Sequence, residues 1–544
     1  MDSMANAIRD ENKGILRLRD LVRALRPVPS NSKPGKPDLK SICPIVFVPG
    51  FSGWGRPLFG SFNYFGGFEN LPLILSNLGY IVIVVRIGPI STNHERACEI
   101  FAQLRRINAH GPGGFDRPHA GRQPSTLIPV DFGPRPASFP GNIPSSANDE
   151  TLAAVVYDHD HNRLPDSWQW SDDNKVNFIC HSQGGTTVRH LIQLLAGTTP
   201  GQNQFNPSSR QSWIKSVVTL GTPHKGTTVT DVLEVGNPLF VLIAPKISNI
   251  LQETITPPRG LDPLVDFITS CSFESRQHRI YDLHLDHWGF ARLPAETYQA
   301  MRARIARTIV NDWWTNRCNG LYDNSIRGVQ DLDTFAPQPS PDIYYFTMSF
   351  CATVPFPERT LTAEDVNEFF DLLPLHEAFN AFGISGLIAT NMLQLFHPPT
   401  RATLAWITRV ARRHLQSEGY FSQIPLPGSQ VPRPDVLPLI QFSAYAMGGG
   451  MDVPAGAPPT ITSDGFAPND GVVNTASMEG PVAGPIDNGD FAAALAAHRR
   501  GRYWHLGSNS TIDHADQIGV FTDPVTFDEV RVMYILLAEL VSLL

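Results

Sequence analysis

Residues 176–188 read VNFICHSQGGTTV. Val176 to Cys180 is an apolar, strand-like run. It stops at His181-Ser182-Gln183-Gly184-Gly185, and a helix-like stretch from Thr186 to Ala196 follows at once. A strand, a tight turn holding a serine and then a helix is the layout of a nucleophile elbow. The turn lifts the hydroxyl clear of the sheet, and the helix N-terminus beneath it favours developing negative charge. Strand and helix approach closely there, so small residues are needed two before and two after the serine. Cys180 and Gly184 stand at those positions. The consensus has Gly where Cys180 is, a departure that a small side chain tolerates. Taken alone, the pattern also suits a serine that happens to lie among glycines.

A serine needs a base, and the base needs an orienting carboxylate. On the strand–turn–helix scaffold the order along the chain is Ser, acid, His. Downstream lie Asn469-Asp470-Gly471-Val472-Val473-Asn474 and Ile512-Asp513-His514-Ala515-Asp516. Asp470 sits in a turn before a short apolar segment, and His514 in a polar loop before the last helix. Both placements fit an orienter and a base. His224, in GTPHKG, precedes every such acid and is the weaker candidate. His284 and His287 flank Asp286 and suit a metal site or plain structure.

The rest of the chain supplies a scaffold for such an elbow. Continuous apolar runs at 43–48, 80–85, 176–180, 214–220 and 343–349 read as strands buried on both faces, the mark of a parallel sheet. Helical stretches such as 96–106 and 186–196 lie between several of them, so an α/β architecture is expected. Residues 1–40 are polar, with Pro and Lys around SNSKPGKPDLK, and read as an N-terminal extension ahead of one catalytic domain over 41–544. Within that domain, 111–165 reads as a loop insertion rich in Gly and Pro, and 357–436 as a helical cap insertion. The terminal VMYILLAELVSLL reads as a final helix packed on the core.

Composition narrows the function. Of 544 residues, 42% are apolar and 17% charged, and the net charge is −8. A large core is therefore available, and clustered Lys/Arg for nucleic acid is not expected. The six cysteines, at 43, 98, 180, 271, 318 and 351, form no C-x-x-C pair. No apolar run reaches the length of a membrane span, and the N-terminus lacks the apolar core of a signal peptide. An intracellular location is the expectation from that reading.

The segments PIVFVPGFSGWG, GPISTNHERACE, CHSQGG, GTPHKGTT, YDLHLDHWG, NDGVVNT and IDHADQIG resemble, in the same order, those of the staphylococcal and thermoalkalophilic bacillus lipases. The likeness is dense over 43–106 and 170–230 and recurs at 280–290 and 441–544. It implies an α/β-hydrolase fold with helical lid and cap insertions, the lid falling at 227–275. It also implies a triacylglycerol lipase type of ester hydrolase working on lipid at a lipid–water interface. Ser182, Asp470 and His514 correspond to nucleophile, orienter and base, and the backbone N–H groups of Phe51 and Gln183 to the oxyanion hole. Pro49 replaces a His usual before Gly50. The family also binds zinc and calcium as structural metals. Asp286 matches one zinc ligand, Glu95 replaces an Asp, and His159 and His161 are the nearest histidines; solvent-exposed loop histidines are the alternative. Asp516 and Asp523 could supply calcium oxygens or be ordinary loop carboxylates. A catalytically silent protein of this fold, binding an apolar ligand or a partner, is the competing reading for the whole chain.

Overall fold

The computed structural model describes residues 8–26, 43–106, 127–134, 150–158, 168–230, 262–355, 430–448 and 463–544, with a few single positions and 492–498 excepted. The chain is built around a sheet of eight strands in the order β11-β12-β8-β7-β6-β1-β2-β5. The strands are β1 (Ile45–Val48), β2 (Val82–Val84), β5 (Val155–Tyr157), β6 (Val176–His181), β7 (Ile214–Leu220), β8 (Tyr344–Phe350), β11 (Ile486–Asp487) and β12 (Tyr503–Asn509). All neighbours run parallel except β5, which closes one edge antiparallel to β2. Two small antiparallel pairs lie outside it, β3 (Leu127–Pro129) with β4 (Glu150–Leu152), and β9 (Thr353–Pro355) with β10 (Gln430–Pro432).

The five apolar runs of the sequence all enter the sheet, for the reason their composition suggests. Each is covered on both faces, and successive side chains serve opposite cores. Ile45, Phe47, Ile179 and Val218 point to one core, while Val46, Val48, Phe178 and Cys180 point to the other. Helices α3 (Asn93–Arg106) and α4 (Gln183–Leu195) cover the second face through Ile100, Leu104, Val188 and Leu191. The first face is covered by α1 (Lys13–Leu25), α2 (Leu71–Asn77) and α5 (Pro524–Leu543).

Helix α1 corrects the reading of residues 1–40 as a polar arm. Ile15, Leu18, Leu21 and Val22 recur at helical spacing and are buried in the core with Met533 and Leu537 of α5. Charge interleaved with these positions masked the stripe. Polar contacts secure the docking: Arg9 Nε donates to Glu529 Oε2 at 2.9 Å, and Arg26 Nη2 to Glu539 Oε2 at 2.7 Å. The terminal apolar run does form a packed helix, started by Pro524 and capped by Asp523. Much of the loop insertion, residues 231–261 of the lid and residues 356–429 of the cap lie outside the described residues. Among the described residues, no helix is long and apolar enough to cross a membrane.

The docking of α1 is testable. Leu18 is fully buried, so Leu18→Ala is expected to lower unfolding free energy by about 2–5 kcal/mol in a denaturant titration. A loose arm would lose nothing.

Candidate active site

The site sits where β6 ends. Ser182 has φ 53° and ψ −129°, a conformation an L-residue adopts only under strain. Its surroundings hold it there. The Ser182 N–H donates to the Leu220 carbonyl at 2.9 Å, and its own carbonyl accepts from Thr222 Oγ1 at 2.8 Å. Helix α4 starts at the next residue. A Cβ on Gly184 would sit 2.5 Å from the Val48 carbonyl oxygen, and one on Gly185 2.3 Å from Thr222 Oγ1. The demand for small residues after the serine is therefore met at both glycines. Cys180, in the position before, is fully buried, and burial raises its thiol pKa well above the ordinary value. It acts as a small apolar residue.

Asp470 and His514 come together. Asp470 Oδ2 lies 2.7 Å from His514 Nδ1, and the Asp470 side chain is fully buried. Its Oδ1 accepts from the N–H groups of Val472 at 3.0 Å and Val473 at 2.8 Å, and its Oδ2 also accepts from Gln517 Nε2 at 2.6 Å. These partners can only donate, so the acid is an acceptor throughout and His514 Nδ1 carries the hydrogen. Nε2 is left with its lone pair, as a base requires. The His514 N–H donates to the Asp470 carbonyl at 2.9 Å, which ties the two loops together. The His514 ring packs on that of His181, with centroids 4.5 Å apart, so base and serine share the end of β6.

Three residues here carried no sequence signal. Tyr64 Oη accepts from the Gly50 N–H at 3.0 Å, so it donates to His181 Nδ1 at 2.8 Å and leaves the His181 hydrogen on Nε2. Gln517 lies beside His181 and presents an acceptor to it. Among the described residues, His181 Nε2 and Gln517 Oε1 are buried without a hydrogen bond of ordinary geometry, and the Gln517 side chain and the His514 backbone are the acceptors that face His181. His181 and Gln517 flank Ser182 and His514 by one and three residues, a cue that only the elbow and the acid–base order could have supplied.

Of the two residues expected to donate from their backbones, Gln183 directly follows the serine and Phe51 follows Gly50. Gln183 is the first residue of α4, whose N–H has no acceptor within its own helix. Gly50, just before Phe51, runs so close that a Cβ on it would sit 2.6 Å from Ser182 Cβ.

The metal candidates are held differently from the expectation. Glu95 Oε1 accepts from His287 Nε2 at 2.6 Å and from Trp288 Nε1, while Oε2 accepts from the Thr92 N–H at 2.9 Å. Asp286 forms ion pairs with Arg276 Nη2 at 2.9 Å and Arg279 Nη1 at 2.7 Å. The two carboxylates thus take separate cationic or donor partners. His159 and His161 lie outside the described residues. Among the described residues, no three His, Cys, Asp or Glu side chains gather closely enough for a metal ion. Asp523 caps α5, its Oδ1 accepting from the Val525 N–H at 2.9 Å and the Thr526 N–H at 3.2 Å. Asp516 instead pairs with Asp513, accepting from its N–H at 3.1 Å. Burial and the Asp513 charge push the Asp516 carboxyl well above its ordinary range.

Burial likewise pushes His181 well below its ordinary pKa of 6.5, and the neighbouring His514 adds to this. The unfolded chain would protonate His181 near pH 6.5 while the folded chain does not. Its contribution to stability is therefore complete above that pH and lost as pH falls below it. The His181 imidazole resonances are expected to keep their neutral positions from pH 8 to about pH 5.5. A midpoint near 6.5 would contradict the buried, Tyr64-bound ring.

Comparison with known proteins follows the same lines. No family model matches the chain. A lipase of Staphylococcus hyicus is 26% identical over 323 residues, 57% of this chain and 40% of that protein. A lipase of Staphylococcus epidermidis is 24% identical over 65% of this chain and 44% of its own length, and lipase 1 of Staphylococcus aureus 25% over 60% and 41%. The match spans less than half the length of these relatives. Among solved structures, EstA from Clostridium botulinum superposes with a TM-score of 0.55 at 22% identity, covering 97% of this chain and 98% of that one. Lipase 1 from Pelosinus fermentans gives 0.51 at 23% identity, covering 92% and 99%, and the S. hyicus lipase 0.50 at 18%, covering 90% and 92%. The chain is thus similar in sequence to the staphylococcal lipases and shares the α/β-hydrolase fold of solved bacterial lipases and esterases.

Proposed function

We propose that the protein hydrolyses apolar carboxylic esters of the triacylglycerol type through Ser182, His514 and Asp470. The observation that carries this reading is the 2.7 Å contact between His514 Nδ1 and a fully buried Asp470, at the strand end that bears the strained Ser182. Ser182 Oγ would attack the ester carbonyl carbon and pass its proton to His514 Nε2. The carbonyl oxygen, now anionic, would take the N–H groups of Phe51 and Gln183. Collapse expels the alcohol, which leaves with the proton from His514. A water, deprotonated by the same histidine, then releases the carboxylic acid and frees Ser182.

The lipid character of the substrate has its own support. A ladder of rings runs outward from Tyr64 beside the serine. Trp54 packs on Tyr64 at 5.3 Å, Phe62 on Trp54 at 5.7 Å, and Phe68 and Phe521 on Phe62 at 5.0 and 5.3 Å. Phe68 is 76% and Phe521 52% exposed. Large rings held in water suit an apolar substrate or a lipid surface.

Wild-type protein is expected to turn over a chromogenic ester, and Ser182→Ala to abolish that turnover. Asp470→Asn should lower kcat by on the order of 10⁴, because an amide facing Nδ1 favours the wrong imidazole tautomer. Equal rates in wild type and Ser182→Ala would defeat the proposal. A wild type inert toward short and long esters alike would favour the silent binding protein.

A further inference from the structure

The loop that would bear one oxyanion donor is held by an unusual group. Arg96, in the first turn of α3, is fully buried. Burial draws its pKa down to about 10, so it remains charged at neutral pH. Among the described residues, no carboxylate is bonded to it. Its Nη1 donates to the carbonyls of Gly50 at 3.2 Å and Gly88 at 3.0 Å, its Nη2 to the Pro49 carbonyl, and its Nε to Thr187 Oγ1 at 2.9 Å. A buried cation without a direct counter-ion is costly, and the chain keeps this one where it touches two successive carbonyls of the loop over Ser182.

Peptide geometry gives the contact its meaning. The Gly50–Phe51 bond is trans, so its C=O and N–H point in opposite directions. Arg96 and the Gly53 N–H, at 3.1 Å, both bind the Gly50 carbonyl from one side. The Gly50 N–H is fixed separately by Tyr64, and the next residue by Ser52 N–H to the Pro89 carbonyl at 2.8 Å. With its carbonyl held, the Phe51 N–H has one direction available, away from Arg96. A cation on a carbonyl oxygen also draws electron density from the peptide nitrogen and strengthens its N–H as a donor.

We propose that Arg96 is a positioning residue for ester hydrolysis: its guanidinium fixes and polarises the Gly50–Phe51 peptide so that the Phe51 N–H stabilises the oxyanion. This rests on the reading of Ser182 as nucleophile. The planar fork matters as well as the charge. A lysine ammonium is a single point and cannot span the Pro49, Gly50 and Gly88 carbonyls while also reaching Thr187.

The test is steady-state kinetics on a soluble chromogenic ester together with inhibition by a phenylboronic acid. The boronic acid adds to the serine oxygen and places an anionic boron oxygen where the oxyanion would form. Arg96→Lys should lower kcat on the order of 10- to 100-fold, since a misaligned donor loses much of what an aligned one contributes. KM should stay within about twofold, and boronate affinity should fall in parallel with kcat. Thr187→Val, which frees the Nε end of the fork and leaves the charge in place, should show the same pattern at a few-fold. Folded variants of both kinds with kcat and boronate affinity within about twofold of wild type would overturn the inference, as would a raised KM at unchanged kcat. Should Arg96→Lys not fold, Thr187→Val alone decides. A wild type that Ser182→Ala leaves equally active fails differently: it removes the nucleophile reading and this inference with it.

Discussion

Everything at the active end of the sheet depends on one close approach, that of the start of α4 to the end of β1. Gly184 lies against the Val48 and Pro49 carbonyls with no room for a side chain. That contact lets the chain reverse within one residue and holds Ser182 in a conformation it would otherwise leave. The strain is local, and the hydrogen bonds to Leu220 and Thr222 oppose its relief. The same contact brings the β1 loop over the serine. Ser182 and the loop are therefore positioned by a single packing event.

Around this contact the polar groups form one connected set. From Gly50 it runs through Tyr64 and His181 to Gln517, and from Gln517 to Asp470 and His514. Each link constrains the hydrogen of the next, which is why tautomers can be assigned on both histidines from heavy atoms alone. Buried networks of this kind are costly where incomplete. The weak joint among the described residues lies between His181 Nε2 and Gln517 Oε1, which face each other without a hydrogen bond of ordinary geometry.

The sequence makes the sheet legible because parallel strands buried on both faces are continuous apolar runs, and each of the five found a place. The missed strands are of another kind. β12, Tyr503–Asn509, mixes Tyr, Trp, His, Gly, Ser and Asn because α1 and the neighbouring strand β8 supply its polar partners. β5 is an edge of three residues. The serine elbow is legible for a steric reason, and the acid and base for their order. Tyr64, Arg96 and Gln517 were not, since their roles rest on partners distant in sequence, 117 residues between Tyr64 and His181, and on no local pattern. The metal expectation came from resemblance alone. It did not foresee that His287 would take Glu95 and that Arg276 and Arg279 would take Asp286.

The docking of α1 on α5 has a consequence for how the protein is made. Arg9 and Glu529 are 520 residues apart, and Asn12 meets Thr511 across 499. During synthesis, Ile15, Leu18 and Val22 emerge about 500 residues ahead of the helix that covers them. Over that interval α1 has an apolar stripe with no native partner, while the β1–β2–β6–β7 sheet can already assemble. Docking of α1 therefore waits for α5. Shielding by a holdase matters most for α1, and a change that weakens α5 would be felt as aggregation through α1.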